Sequence, residues 1–313
     1  MEKIVFSSDE KIRIDKYLSD QNPGISRRVF QNAIKNNAVL VNGNKISPNY
    51  KLKRNDEIEI LEEIKEKETI KELEPNKNIP LEIIFQNNDF LVINKAPGIS
   101  VHPSDRGEQD TLVNGLINQF PQIKDVGENF LRPGIVHRLD KDTSGVMIVA
   151  LNQKSFAYFK NLFQERTIQK TYHAIIWGEL SQKSGVIESF IGKSHKNPSR
   201  QATSNTPHKL INPKDAKTYY KVLEIKNGMS LVEAQPKTGR KHQIRIHLHS
   251  LGHPIVGDKK YSIGEGEKLN KKFSNLMLHA FKIEFIGPDD ENYSFSAPAP
   301  SYFSESLGKT LST

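Results

Sequence analysis

Cysteine is absent from the 313 residues. That removes thiol nucleophiles, disulfides and thiolate metal ligands together, leaving covalent chemistry to carboxylate, hydroxyl, amine or imidazole groups. Long apolar runs are lacking as well. Val146-Met147-Ile148-Val149-Ala150-Leu151 is among the longest, far short of the roughly 18 residues that a membrane-spanning helix needs. The sequence opens without a basic leader ahead of an apolar stretch of about 7–15 residues, so a cytoplasmic protein with no membrane partner is expected. There is no repeat at a fixed period and no regular alternation of strand and helix of the kind that builds a parallel sheet.

What is present suits a soluble protein with a polyanionic partner. The 45 Lys+Arg exceed the 37 Asp+Glu by eight, a modest excess that favours binding to negative charge. Apolar residues make up 36%, to which 19 glycines add, enough for a core, and the length suits about two domains.

Charge divides the chain into three parts. Residues 1–60 carry net +3 and residues 61–80 net −2. The second stretch, LEEIKEKETIKELEPNKNIP, has few apolar positions and closes on Pro75 and Pro80. It reads as a solvated linker or, alternatively, a short exposed helix. The expected domains are therefore 1–60, a linker at 61–80, and 81–313.

In the first part, Ile14, Tyr17 and Leu18 share a helical face. Val29, Phe30, Ala33 and Ile34 repeat that spacing behind Ser26, a candidate N-cap. Val39-Leu40-Val41, Asn42-Gly43 and Asn44-Lys45-Ile46 read as a tight hairpin, with another strand at Ile58-Glu59-Ile60. Arg13, Lys16, Arg27, Arg28 and Lys35 lie on or beside the helices, where they suit successive phosphates or a merely solvated face.

The third part has strand-like runs at 81–85, 90–93, 146–151 and 277–286, and helical patterns at 111–120 and 154–166. Strands at 219–225 and 229–234 flank the turn Lys226-Asn227-Gly228. Short turns between neighbouring strands imply an α+β fold with a mixed, mainly antiparallel sheet, beside a small α/β N-terminal domain.

Two segments concentrate chemistry. Residues 134–145, GIVHRLDKDTSG, place ionisable and hydroxyl groups between apolar Ile135-Val136 and the strand that follows, as a functional loop would. Composition alone makes Asp140 no more than a turn acid. Residues 236–248, PKTGRKHQIRIHL, form a basic cluster in which 244–248 fits a helix or a strand equally well. His242, His247, His249 and His253 lack the two-His, one-Glu spacing of a zinc helix. No metal and no cofactor is expected.

With INKAPG at 93–98, four segments carry a resemblance: HRLDKDTSG at 137–145, KTYHA at 170–174, TGRKHQIRIH at 238–247 and LMLHAFKIEF at 276–285. They stand in the order seen in RluA-type RNA pseudouridine synthases, which residues 81–290 resemble. His137 and Ser144 separate the chain from the related small-subunit type. Residues 12–60, with RIDKYL, SRRVFQNAIK and VLVNG, resemble the S4 (alpha-L) RNA-binding domain; Asn36-Asn37 replaces its usual glycine, and asparagine tolerates the left-handed backbone needed there.

The resemblance implies isomerisation of uridine to pseudouridine within a flipped-out nucleotide. Asp140 would be the catalytic carboxylate and Arg245 its ion-pair partner. Tyr172 would stack on the base or remove a sugar proton, and Arg138 would fill the gap in the RNA stack. Read without the motif, Arg245 is a surface helix arginine and Tyr172 a core strand residue. His137 and Lys141 are assigned no chemical step. Arg138, Arg240, Arg27, Arg28, Lys16 and Lys35 form the expected RNA-contact set, and the RNA is expected to be large-subunit ribosomal RNA or its assembly precursor, bound by a monomer. Two alternatives from other classes are a non-catalytic RNA-binding assembly factor, which would not need Asp140, and an RNA N-glycosidase, which would release free uracil.

Overall fold

A computed structural model describes residues 2–65, 72–104, 107–262 and 265–308. Two compact units divide between Lys71 and Glu72. The first contains β1 (Glu2–Val5), α1 (Ile14–Gln21), α2 (Arg27–Lys35), β2 (Val39–Val41), β3 (Asn44–Lys45) and β4 (Glu57–Ile60). Its sheet runs β1-β4-β2-β3 and is antiparallel throughout. Apolar positions of both helices, Ile14, Leu18, Phe30 and Ile34, close a core with Val39, Val41, Leu52 and Ile58. Asn42 and Gly43 take φ of 51° and 72°, the left-handed pair a two-residue hairpin turn demands. Asn37 after α2 sits at φ 62°, in the role the usual glycine would fill.

The second unit holds β5 (Glu82–Gln86), β6 (Phe90–Lys95), α3 (Leu112–Gln119), β7 (Ser144–Ala150), α4 (Gln153–Glu165), β8 (Gln169–Trp177), β9 (Ser184–Ser194), β10 (Gln201–Ser204), β11 (Leu210–Lys226), β12 (Met229–Pro236), α5 (Gln243–Ser250), α6 (Glu265–Asn270), β13 (Leu278–Ile286), β14 (Asn292–Ser296) and α7 (Ser301–Gly308). Ten strands form one sheet, ordered β10-β9-β11-β12-β8-β13-β7-β6-β5, with β14 against β13. Only the β13–β7 pairing among these is parallel, so the sheet is mixed and mainly antiparallel. Along β6 and β7 the apolar run is continuous because both faces are covered: Leu91, Ile93, Met147 and Val149 point into one core, Phe90, Val92, Val146 and Ile148 into another. A third core joins β8, β12 and β13 to α5 and α7 through Ala174, Val232, Leu248, Leu278 and Phe303. Among the described residues no helix is long and apolar enough to cross a membrane.

Packing differs from composition in three places. Of the stretch expected as a linker at 61–80, Leu61 donates its amide to Ala38 and Ile64 packs on the first core. Leu73 is buried in the second unit, and Asn114 Nδ2 holds the Glu74 carbonyl at 2.7 Å. Residues 66–71 lie outside the described residues. Residues 244–248 are helical, with Ile244 and Leu248 in one core and Ile246 in another. Finally, β9 and β10 form a strand pair for which the sequence gives little sign; glycines at 185 and 192 interrupt the apolar pattern of β9.

Candidate active site

Asp140 lies in the turn that leads into β7, its carbonyl accepting the Thr143 amide at 3.1 Å. The turn is fastened from below by β6. The ammonium of Lys95, 1% exposed, donates to the carbonyls of Ala96, Ile99 and Lys141 at 2.7, 2.9 and 3.0 Å. The Gly98 amide reaches the same Lys141 carbonyl at 2.9 Å. Burial pulls the Lys95 ammonium down to about 8, while Asp142 and Asp140 oppose the change. The motif ends at Gly145 because β7 and β13 touch there: its φ is 114°, and a Cβ would collide with the Ala280 backbone.

Arg245 reaches the turn from α5. Gln243 pins the start of that helix, its Nε2 donating to Thr218 Oγ1 and the Lys217 carbonyl while its Oε1 accepts from Thr238 and the Arg240 amide. The guanidinium is shared between two carboxylates. Nε and Nη2 bind Asp258 at 2.7 and 2.9 Å, in the fork geometry that suits arginine, and Nη1 binds Asp140 Oδ2 at 3.0 Å. Burial works against the charge on Arg245, but Asp258 and Asp140 more than offset it and hold the pKa above its ordinary value. The ring of Tyr261 lies 5.2 Å from the guanidinium carbon, within cation–π range.

Asp258 itself is fully buried. The amides of Lys260 and Tyr261 donate to its Oδ1, both at 2.9 Å. Nothing in the sequence marks it beyond an acid after the apolar run Ile255-Val256-Gly257. Lys95 lies within the INKAPG segment at 93–98, where neither spacing nor resemblance gives it a role.

Tyr172 on β8 lines the same cavity as Asp140 and Arg245, together with Leu139, Thr143, Leu278 and Arg138. Burial, then the negative charge of Asp140, pushes its hydroxyl well above the ordinary tyrosine range. It stays protonated, which suits stacking and disfavours proton removal. The cavity measures about 110 Å³, small beside the roughly 300–1,000 Å³ of sites for drug-sized ligands. A second cavity shares Arg138, Asp140, His242 and Arg245 with it and is rimmed by Lys141, Arg200, Lys241, Lys259 and Lys260, a cationic border that outnumbers the acids Asp140, Asp142 and Asp258.

The remaining expected residues fall in several settings. Arg138 is exposed and donates to His102 Nε2 at 2.9 Å, and His102 Nδ1 meets the Pro103 carbonyl at 2.8 Å. Arg240 lines the inner cavity, with Nε on the Asp215 carbonyl at 2.8 Å. His137 packs rather than reacts: it stacks on Phe163, its Nε2 accepts the Ile148 amide, and burial drives its pKa down to about 3. The histidines of the basic cluster do not converge on one point: His247 lies between Thr218 and Ser189, His253 against the Trp177 carbonyl, and His242 and His249 both pack on Tyr261.

Lys16, Arg27, Arg28 and Lys35 are all exposed in the first unit. Arg27 and Arg13 also grip Asp15, which is completely buried, with Gln31 Nε2 on the same carboxylate at 2.7 Å. Burial alone would raise that carboxyl, but the hydrogen bonds of Arg27, Arg13 and Gln31 hold it well below the usual carboxylate range.

Comparison with known proteins places this geometry in a family context. Residues 89–250 match the model described as RNA pseudouridylate synthase, and residues 12–58 match the S4 domain. An uncharacterized RNA pseudouridine synthase of Chlorobaculum parvum is 38% identical over 303 residues, covering 92% of this chain and 91% of the relative. Ribosomal large subunit pseudouridine synthase D of Borreliella burgdorferi is 36% identical, covering 88% and 82%. Among solved structures, human RNA pseudouridylate synthase domain containing 1 aligns with a TM-score of 0.59 at 30% identity, over 72% of this chain and 86% of that one.

Proposed function

The chain belongs to the RNA pseudouridylate synthase family, and from that membership we propose that it isomerises uridine in large-subunit ribosomal RNA with Asp140 and Arg245 as its reacting pair and Tyr172 as the face on which the base stacks. One observation carries the assignment of residues: Arg245 meets Asp140 at 3.0 Å across 105 positions of sequence, inside a cavity open enough to leave the Asp140 side chain 23% exposed.

The chemistry follows from that arrangement. The bond from C1′ to N1 breaks, the base turns, C5 bonds to C1′, and the C5 proton leaves as N1 gains one. Arg245 and His242 both lie on the Oδ2 side of Asp140, at 3.0 and 3.8 Å, which leaves Oδ1 for the electron-poor sugar carbon. The detached uracil remains bound as an anion, so no second carboxylate is required to protonate a leaving group. Extrusion of the nucleotide costs a few kcal/mol. Tyr172 offsets part of that cost as a stacking face in the inner cavity, and Arg138, held by His102 at the mouth, fills the vacated place. The basic rim of the second cavity suits the phosphates on either side, while Lys16, Arg27, Arg28 and Lys35 of the S4 domain grip folded RNA. In this reading the enzyme acts as a monomer in the cytoplasm on ribosomal RNA or its assembly precursor.

Asp140→Asn tests the reading. With RNA carrying 5-tritiated uridine, the substitution lowers tritium release by more than about 10⁴-fold and leaves RNA affinity unchanged. Retained release would sink the catalytic assignment, and free uracil without a C-glycoside would turn the enzyme into an N-glycosidase. Mapping pseudouridine in ribosomal RNA from cells with and without the protein identifies the position served.

A further inference from the structure

His242 is the first residue before α5 and has no assigned part in the reaction. Its backbone occupies the left-handed region at φ 58°, a conformation costly for a residue with this side chain and retained where surroundings enforce it. Its ring lines both cavities and lies beside Asp140, Nε2 to Oδ2 3.8 Å. The other nitrogen is occupied: Nδ1 meets the Tyr261 hydroxyl at 2.7 Å, and that hydroxyl accepts the Gln201 amide at 3.2 Å. The Gln201 amide takes one lone pair of that oxygen, and we assign the hydroxyl proton to Nδ1. The imidazole proton then sits on Nε2, the nitrogen facing Asp140 and the base cavity. Asp140, Arg245, Lys241 and Lys260 are the charged groups around the ring.

We propose that the Nε2–H of His242 is the hydrogen-bond donor that holds a carbonyl oxygen of the detached uracil while the base turns within the cavity. This rests on the synthase reading and deepens it. Once C1′–N1 has broken, the electron pair of that bond resides on the uracil, and C5 attacks C1′ only while the base keeps that charge. A donor that surrendered its proton to N1 would quench the nucleophile. Burial drives His242 down to about 4, with Asp140 opposing and the nearby cations assisting. At neutral pH the ring is therefore uncharged and stabilises an anion without protonating it. Arg245 already gives three of its five N–H groups to Asp258 and Asp140. Tyr261 and Gln201 act behind the ring as positioning groups.

The test uses two substitutions and two RNAs. His242→Asn suits the left-handed backbone better than histidine but is too short to place a donor where Nε2 lies; His242→Gln reaches it. The substrates are large-subunit ribosomal RNA transcribed in vitro with uridine or with 5-fluorouridine, whose fluorine stabilises the detached anion by itself. Conversion of N-glycoside is read by mass spectrometry of nuclease digests. On uridine RNA, His242→Asn lowers kcat by about 10²–10³-fold, the usual loss on removal of one such donor. His242→Gln recovers to within about tenfold of wild type, RNA affinity does not change, and the defect of His242→Asn shrinks by about tenfold or more on 5-fluorouridine RNA. Wild-type kcat in His242→Asn, or an equal loss on both RNAs, would overturn the proposal while the synthase reading stood. Absence of any C-glycoside from wild-type protein on both RNAs would overturn the two together.

Discussion

In each unit of this protein a buried ion is set against partners of opposite charge, and the two arrangements have reversed polarity. In the S4 domain the buried ion is a carboxylate: Asp15 is 0% exposed, and the guanidiniums of Arg13 and Arg27 that bind it are each 43% exposed. In the synthase domain it is a guanidinium. Arg245 is 9% exposed between Asp258 at 0% and Asp140 at 23%. In both, the buried member is hydrogen-bonded to every charged partner and fixes one whose outer side remains open. In the proposed function the open partner carries the sign its substrate requires, positive toward phosphate in one unit and negative toward an electron-poor carbon in the other. A buried pair is poor evidence for stability, since desolvation consumes much of the attraction. Its use here is to aim the exposed member.

The largest effect should come from the deepest member. Asp258→Asn keeps the volume beneath Arg245 and removes the charge, leaving a buried guanidinium with Asp140 as its sole anion. Loss of one partner of a buried pair costs about 3–5 kcal/mol of stability, and the freed guanidinium draws Asp140 out of line. We expect kcat to fall about 10²-fold with RNA affinity within about twofold of wild type, read by tritium release beside a thermal melt. A folded Asp258→Asn variant with normal kcat would break the comparison, because the buried member would then be packing alone.

How far sequence reaches depends on whether a role is local. The turns at Asn42-Gly43 and Asn227-Gly228 were legible, since a two-residue hairpin needs two left-handed residues and these supply them, at φ 51° and 72° and at 53° and 71°. Asp140 and Arg245 were legible through their motifs. Asp258, Lys95 and Tyr261 were not, for each is defined by what packs on it from distant parts of the chain. Nor could residues 244–248 be resolved, because a helix buried on nearly every side shows no amphipathic stripe. In β9 the glycines that blur the strand pattern are there for their neighbours: a Cβ at Gly192 would crowd the Ile211 carbonyl of β11.

Lys95 sharpens the comparison by supplying a buried cation that grips backbone rather than a carboxylate. Held at about 8 by burial, it loses its charge at a pH where exposed lysines, near 10.4, keep theirs. A neutral amine has two protons for three carbonyls, and the Lys141 carbonyl behind Asp140 is one of them. As pH rises through 8, kcat should fall by about tenfold. Stability moves the other way: between about 8 and 10.4 the unfolded chain binds the proton that the folded chain has released, so unfolding becomes harder as pH rises. The difference between wild type and Lys95→Met in both profiles isolates this group. Parallel decline of kcat and stability would assign the effect to general alkaline unfolding.

The smallest effect, and the one whose sign is most informative, is expected at Asp15. Asp15→Asn makes the S4 domain more positive by one charge, so if phosphate binding followed net charge alone the variant would bind RNA more tightly. If Asp15 instead aims Arg13 and Arg27, the variant binds about three- to tenfold more weakly despite that extra charge. The slope of log affinity against log salt should flatten as well, while kcat at saturating RNA stays unchanged. Stability of the S4 domain should drop by about 1–3 kcal/mol, less than at Asp258 because water already shares the two arginines. The same group sets an acid limit. Its folded pKa lies well below the unfolded value of about 3.9, so its contribution is complete above that pH and is lost as pH falls below it. Amide exchange in α1 and α2 should therefore accelerate below about pH 4 in wild type and show no such onset in Asp15→Asn. Tighter RNA binding by the variant would show that the arginines act as unplaced charge and that the likeness between the two units is one of composition only.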